Sequence, residues 1–327
     1  MAYQVIIVKQ NQCYDVSDIA GNISWNDNID SLGMEFCFSV AVSDEKYFTK
    51  FVIEVGDMVL FRKEYEIFRG IIVSKTISET TEQNFKAYDF CWYFNKSKII
   101  KQFNGINASR AIQQLCDELN IKVGEIASMR SNIKHIYYDK TVADIIEDIL
   151  EQETAETAKS YIKEMRGDSF YIFEKGSIVI KPMFKPAVNI AAFSVTNEIG
   201  NFNRVCSIEE MKNAVKIVSG SEKSVRILGE AKDEQNIQKY GLLQEIETID
   251  EKEFNKAQNI AQNKLKQYNK IDETISVDLL GDDSTRAGRI LTINDEKSEI
   301  LGDFLITSCN HTFSKGIHTM TLELERI

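Results

Sequence analysis

The sequence predicts a β-rich α+β fold of several domains, with two barrel or sandwich regions flanking a small α/β insert. Three observations lead there. Short apolar runs separated by turn signals fill residues 1–101, helical periodicity takes over across 105–155, and strand-like runs return in the last third. A length of 327 residues exceeds one ordinary domain, and the shifts in pattern place the expected divisions at 1–101, 102–188 and 189–327.

In the first region, residues 1–9 are strand-like, and residues 34–42 alternate around Phe36, Phe38 and Val40. Met58-Val59-Leu60-Phe61 follows the turn signal Gly56-Asp57, and Phe68-Arg69-Gly70-Ile71-Ile72-Val73 comes next. After a polar stretch at 78–83, residues 85–94 are apolar or aromatic on both faces, which predicts one strand covered on both sides.

In the insert, Asn107 is placed to cap a helix carrying Ala108, Ile112, Leu115 and Leu119 on one face. Thr141 and Asp144 imitate a capping box before the stripe Val142, Ile145, Ile146, Ile149 and Leu150. Residues 169–181 read as a hairpin, with strands at 170–173 and 178–180 about Lys175-Gly176. Pro182 and Pro186, the only two prolines, mark the connector that follows.

In the last region, strands at 214–218 and 273–280 enclose a helix at about 251–268. Asp250 and Glu253 form its capping box, and Phe254, Ala257, Ala261, Leu265 and Tyr268 lie along it. The chain closes in a hairpin, 303–313 and 317–326, about Ser314-Lys315-Gly316. Gly56-Asp57 leading to Phe68-Arg69-Gly70, and Gly281-Asp282 leading to Gly302-Asp303-Phe304, suggest a weak internal repeat.

Composition excludes several function classes. A net charge of -11 argues against a phosphate backbone, so no sequence-specific nucleic-acid partner is expected. Apolar runs fall far short of the ~20 residues that cross a bilayer, and the N-terminus reads as strand, not signal peptide. A product made in the cytoplasm, with no membrane partner, is the expectation. The six cysteines are scattered without a CxxC, as reduced, mostly buried residues would be. No glycine precedes a lysine, and GxGxxG, HExxH and GxSxG are absent. No enzyme, cofactor, metal or catalytic residue is therefore expected.

Four constellations stand against that expectation. In the last hairpin Phe313 faces Ile317 or His318, and in the latter register Cys309, His311 and His318 point to one side, a donor set that suits zinc. Strand geometry opposes it, because His311 and His318 are then diagonal neighbours at ~7 Å; structural hydrogen bonds are the expected role. Arg166-Gly167-Asp168 spells an adhesion tripeptide but sits where a turn is needed. Gly281-Asp282-Asp283 could be a metal-binding acidic turn, although no basic template groove accompanies it. Glu209-Glu210, Asp282-Asp283 and Asp117-Glu118 could supply a hydrolase's carboxylates, but charge runs are more often solvated faces. The sequons at Asn22, Asn95, Asn107 and Asn310 have no meaning without secretion.

The ordered motifs of the chain carry a resemblance. Ser207-Ile208-Glu209-Glu210-Met211-Lys212-Asn213-Ala214-Val215-Lys216-Ile217 and Ile237-Gln238-Lys239-Tyr240-Gly241 precede the capped helix. Leu280-Gly281-Asp282, Arg286-Ala287-Gly288, Gly302-Asp303-Phe304-Leu305-Ile306 and the ending from His311 to His318-Thr319-Met320-Thr321-Leu322 follow it. Near the front stand Gly56-Asp57 and Ile67-Phe68-Arg69-Gly70-Ile71-Ile72. In this order they resemble the baseplate hub proteins of contractile tails and phage-tail-like bacteriocins, the XkdQ/YqbQ type, and more distantly the late-control protein D group.

That resemblance implies a structural protein with two tube-like β domains per chain. It implies a homotrimer that adapts a sixfold tail tube to a threefold central spike, within an assembled phage tail or bacteriocin particle. The implied neighbours are the tail tube protein, the central spike and the baseplate wedge proteins, with the tape measure protein as a further candidate. A tube-initiator or distal-adaptor ring component and a cell-wall hydrolase are the alternatives.

Overall fold

In the computed structural model of the chain, residues 3–43, 45, 51–78, 81–178, 201–219, 225–249, 251–295 and 300–327 are described. The proline connector at Pro182 and Pro186, the expected boundary at 188/189, and the cap at Asp250 lie outside them. The described chain is β-rich and forms two compact units, Met1–Phe202 with Ser276–Ile327, and Asn203–Ile275.

The larger unit opens with β1 (Gln4–Lys9), β2 (Gln12–Asp15), β3 (Ala20–Asn28), β4 (Glu35–Ala41), β5 (Met58–Arg62), β6 (Glu66–Thr76) and β7 (Glu82–Tyr88). In β3, β5, β6 and β7 alternate residues turn inward, as a one-sided sheet requires. Ile7, Trp25, Phe36, Phe38, Val59, Phe61, Ile72 and Phe85 meet in one apolar core. Two strands here escaped the sequence reading: short β2 is exposed throughout, and in β3 only Ile23 and Trp25 interrupt a polar run.

The expected single strand over 85–94 is corrected: β7 ends at Tyr88, and α1 (Cys91–Lys96) begins after Asp89 and Phe90. Buried Asp89 breaks the strand, its carboxylate accepting from Met34 N at 2.8 Å and Cys91 N at 2.9 Å. The segment is apolar on both faces because Phe85 and Ala87 face the first core, whereas Cys91 and Phe94 face a second.

That second core belongs to the insert, made of β8 (Lys98–Asn107), α2 (Ala108–Glu118), β9 (Lys122–Ile126), β10 (Asn132–Thr141), α3 (Val142–Thr157), β11 (Tyr161–Arg166) and β12 (Ser169–Glu174). Asn107 caps α2 by accepting from Ser109 N, and Thr141 with Asp144 forms the complete capping box of α3. All five residues of the α3 stripe are buried. Strands β8 and β10 pair as a ribbon, and β12 lies between antiparallel β11 and parallel β9. Both edges of β12 are thus occupied, so the expected 169–181 hairpin gives way. The carbonyl of Ile178 instead accepts from Ile290 N, while 179–181 lie outside the described residues.

The smaller unit takes in β13 (Phe202–Ser207), β14 (Ala214–Ser219), β15 (Ile227–Lys232), α4 (Glu234–Tyr240), β16 (Gln244–Ile249), a 3-10 turn at Glu251–Lys256, and α5 (Ala257–Tyr268). Its sheet runs β15-β14-β16, and Val215, Ile217 and Ile249 pack on Ala257 and Ala261 of α5. The expected helix at 251–268 therefore begins as a 3-10 turn and becomes α-helical at Ala257. Gly229 lets the helix approach, since a Cβ there would lie 2.6 Å from the Ala257 carbonyl oxygen.

Strand β17 (Asp272–Leu280) returns the chain to the larger unit, followed by β18 (Ile290–Asp295), β19 (Ile300–Ser314) and β20 (Ile317–Arg326). Of the two registers open to the terminal hairpin, it takes the one with Phe313 opposite His318 and not Ile317. Long β19 serves two partners on its other edge. Ile300 to Leu305 pair with β18, and Ser308 to Phe313 pair with β3. That second pairing makes one sheet in the order β17-β20-β19-β3-β4-β7-β6-β5-β1-β2. Among the described residues, no helix is long and apolar enough to cross a membrane.

Candidate functional site

The densest polar chemistry gathers around the loop 281–289 between β17 and β18. It begins where Gly281 N donates to the His318 carbonyl at 2.8 Å. A Cβ at Gly281 would lie 2.1 Å from the His318 ring, so only glycine lets the loop pass. Asp282 fixes the turn by accepting from Ser284 N and Oγ at 2.8 and 2.6 Å.

The front half of the loop completes a chain of side chains. His311 Nε2 lies 3.0 Å from both the Thr285 carbonyl and Cys309 Sγ, and its Nδ1 lies 3.0 Å from His318 Nε2. His318 Nδ1 in turn lies 2.9 Å from the Tyr3 hydroxyl and 3.3 Å from Asp283 Oδ1. Tyr3 also donates to Asp283, and Lys63 reaches Asp283 Oδ2 at 3.3 Å. Trp25 stacks on the His311 ring at 4.5 Å. Burial pushes His311 down to about 4 and lowers His318, against the opposing pull of Asp283 on the latter. Burial also pushes the Cys309 thiol well up, the state of an inert thiol.

The back half binds the insert. Arg286 Nε donates to Asp27 Oδ2 at 3.0 Å and its Nη1 donates to the Met165 carbonyl at 2.9 Å, while Ala287 N donates to Asp27 Oδ1. Arg289 takes Glu164 in a two-pronged pair, which Arg166 also joins. Burial alone would raise Glu164, but Arg286 and Arg289 outweigh it and hold the carboxyl at about 2. Asp89, close by, has no such direct partner, and burial pushes it up to about 6. Between them lies a cavity of ≈ 20 Å³, lined by Asp27, Asp89, Glu164 and Arg286 among others, with room for about one water.

Cys309, His311 and His318 thus come together, but in a line. Cys309 and His318 touch opposite nitrogens of His311, so no single point lies about 2.0–2.3 Å from all three. Among the described residues, no group of three or more such side chains could hold a metal. The rings close the ~7 Å diagonal between their strands by leaning toward each other. Asp283 joins this chain, a meeting that the sequence reading did not anticipate.

The other candidates disperse. Gly167, at φ +59°, and Asp168 make the β11–β12 turn, with Asp168 paired to Lys122. Glu118 pairs with Lys101, and Glu209 and Glu210 are exposed. Asn107 is spent on capping α2, and Asn95 donates to the Leu32 carbonyl. The polar atoms of the loop are engaged with one another, which is the chemistry of a rigid joint.

Within each unit, motifs that carried the resemblance come into contact. Gly281 abuts His318, and buried Asn213 holds the other segment by donating to the Gly241 carbonyl at 2.6 Å and accepting from Leu243 N at 2.8 Å. A profile of the YQBQ-like proteins matches residues 23–325, nearly the whole chain. The chain belongs to the YQBQ-like family. It is 26% identical over 278 residues to the uncharacterized protein YqbQ of Bacillus subtilis, covering 83% of this chain and 82% of that one. It is also 26% identical over 296 residues to the phage-like element PBSX protein XkdQ of the same bacterium, covering 86% and 84%. The 43 kDa tail protein of prophage MuSo2 from Shewanella oneidensis superposes with a TM-score of 0.73 at 10% identity, over 99% of this chain and 98% of that one. The YQBQ-like chain therefore has the fold of a phage tail protein.

Proposed function

We propose that this YQBQ-like chain is a structural baseplate hub of a contractile tail or phage-tail-like bacteriocin. Three copies would form a ring that adapts the sixfold tail tube to the threefold central spike. The tail tube protein would lie above, with spike and wedge proteins as the other partners and the tape measure protein as a further candidate. The proposed division is a tube-like domain at 1–101, an α/β domain at 102–188 and a second tube-like domain at 189–327. The particle, assembled from a chain made in the cytoplasm, is where it would act.

One observation carries this reading. The β3–β19 pairing fuses the strands β1 to β7 with the terminal strands β17 to β20 in one sheet. Two strand systems per chain, each a candidate tube segment, would give six similar segments from three chains. A non-enzymatic role is supported by polar clusters that are consumed internally.

Native mass spectrometry of the chain, alone and with its tube and spike neighbours, tests the proposal. A species of three 37.4 kDa chains, about 112 kDa, supports a hub. Six copies would favour a tube-initiator or distal-adaptor ring. A chain that stays monomeric beside its neighbours would sink both readings and return attention to a cell-wall hydrolase.

A further inference from the structure

The line Thr285–His311–His318–Asp283 has too few hydrogens when both rings are neutral. Its two ends are acceptors: the Thr285 carbonyl at 3.0 Å from His311 Nε2, and Asp283 Oδ1 at 3.3 Å from His318 Nδ1. Between the rings, the 3.0 Å contact of His311 Nδ1 with His318 Nε2 needs one hydrogen. Two neutral rings carry two hydrogens for these three contacts.

Either polarity leaves a conflict. If His311 donates to Thr285, His318 must donate to His311 and presents a bare Nδ1 to Asp283. The Tyr3 hydroxyl can serve that nitrogen at 2.9 Å, but only by withdrawing its hydrogen from Asp283. If the line runs the other way, His318 donates to Asp283 and a bare His311 Nε2 faces the Thr285 carbonyl. The Cys309 thiol can then supply only a weak donor. One added proton satisfies every contact at once, whereas a second would set donor against donor between the rings.

We propose that His311 and His318 act as a single receptor for one shared proton, taken up on acidification where β20 and the loop 281–289 meet Tyr3 of β1. The groups facing the pair fit one positive charge. Asp282 and Asp283 face it from the loop, Asp27 from β3, and Tyr3 from β1. Lys63 from the β5–β6 turn opposes uptake, as does burial, so the proton enters below the ordinary histidine range. Tyr65 lies near Asp283, and Cys309 closes the far end beside the charges of Arg286 and Arg289. The titration belongs to the pair and not to either ring.

Ring-nitrogen NMR of the full chain, titrated from about pH 8 to about pH 4, tests this directly. The expected result is one common midpoint for His311 and His318, with amplitudes that sum to one proton. Asp283→Asn should lower that midpoint by removing the counter-charge. Tyr3→Phe, which keeps the ring among its aromatic neighbours but takes the hydroxyl hydrogen from Asp283, should raise it. Two independent one-proton titrations would overturn the proposal. So would rings that stay neutral until the chain unfolds, or a midpoint unmoved in Tyr3→Phe.

Discussion

Arg289 grips Glu164 with both ends of its guanidinium, Nη1 at 2.6 Å from Oε2 and Nη2 at 3.0 Å from Oε1, although the residues are 125 positions apart. Both side chains are nearly out of water. Such a pair adds little net stability over a well-packed apolar substitute, because each charge gave up its hydration. Its consequence is specificity of place: Arg289, Arg286 and Asp27 register the insert strand β11 against β3 and the loop 281–289.

Breaking that pair from one side is therefore expensive. Glu164→Gln leaves Arg289 buried without its carboxylate, and should cost about 3–5 kcal/mol in urea unfolding at neutral pH. The pH dependence follows from the depressed carboxyl, about 2 against an ordinary 4.5. Its stabilisation is present above 4.5 and is lost as the pH falls toward 2, so the gap between wild type and variant should close over that window. A gap that stays constant down to acid pH would show that Glu164 is not held ionised by the arginines.

The closest backbone approach in the molecule's polar joint is Gly281 on His318. Gly281→Ala places a methyl 2.1 Å from the imidazole, and overpacking of this kind costs about 1–3 kcal/mol. Gly316→Ala is the matched control, since it too is glycine at a turn (φ +80°) but has nothing within 4 Å. Only its left-handed backbone is strained, at about 1 kcal/mol. Thermal melts that rank the two variants in the opposite order would contradict the tight contact.

These two sites mark where sequence reasoning stopped. Local grammar was legible: the Asn107 cap, the Thr141–Asp144 box and the five-residue stripe on α3 all rest on neighbours within a few residues, whereas the hairpin turn left Phe313 free to face Ile317 or His318. What could not be read is which distant charges meet. Asp27, Glu164, Arg286 and Arg289 lie on separate segments with no shared period, so nothing in their spacing reports proximity. Nor can a strand's own pattern reveal that β19 exchanges β18 for β3 along its length. The misread segment at 85–94 failed for a related reason: two apolar faces look alike whether they serve one buried strand or two different cores.

A legible cap should also behave as one. Thr141 accepts from Asp144 N at 3.1 Å while Asp144 accepts from Thr141 N at 3.1 Å. Thr141→Ala removes half of this reciprocal pair at the head of a helix that lends five buried residues to the insert's core, and should cost about 1 kcal/mol. Hydrogen exchange localised to α3 is the sensitive readout, with faster exchange expected across its first turn. Unchanged protection there would mean that tertiary packing alone holds the helix start.

Asp89 makes the opposite acid prediction to Glu164, which separates the two carboxylates experimentally. Burial raises it from 3.8 to about 6, so folding favours its protonated form. Its contribution is greatest below 3.8 and is lost as the pH rises to about 6, the reverse of the sign for a carboxylate held down by arginine. Asp89→Asn should remove that pH dependence. It should also destabilise at all pH values by about 1–3 kcal/mol, because the amide has one acceptor where Met34 N and Cys91 N each need one. Urea unfolding at pH 4 and pH 7 distinguishes these outcomes: the wild type should gain more than the variant on going to the lower pH once the Glu164 response is matched in both. Equal responses would mean that Asp89 stays ionised in the fold, satisfied by its two backbone donors, and that the break between β7 and α1 is held by a charge.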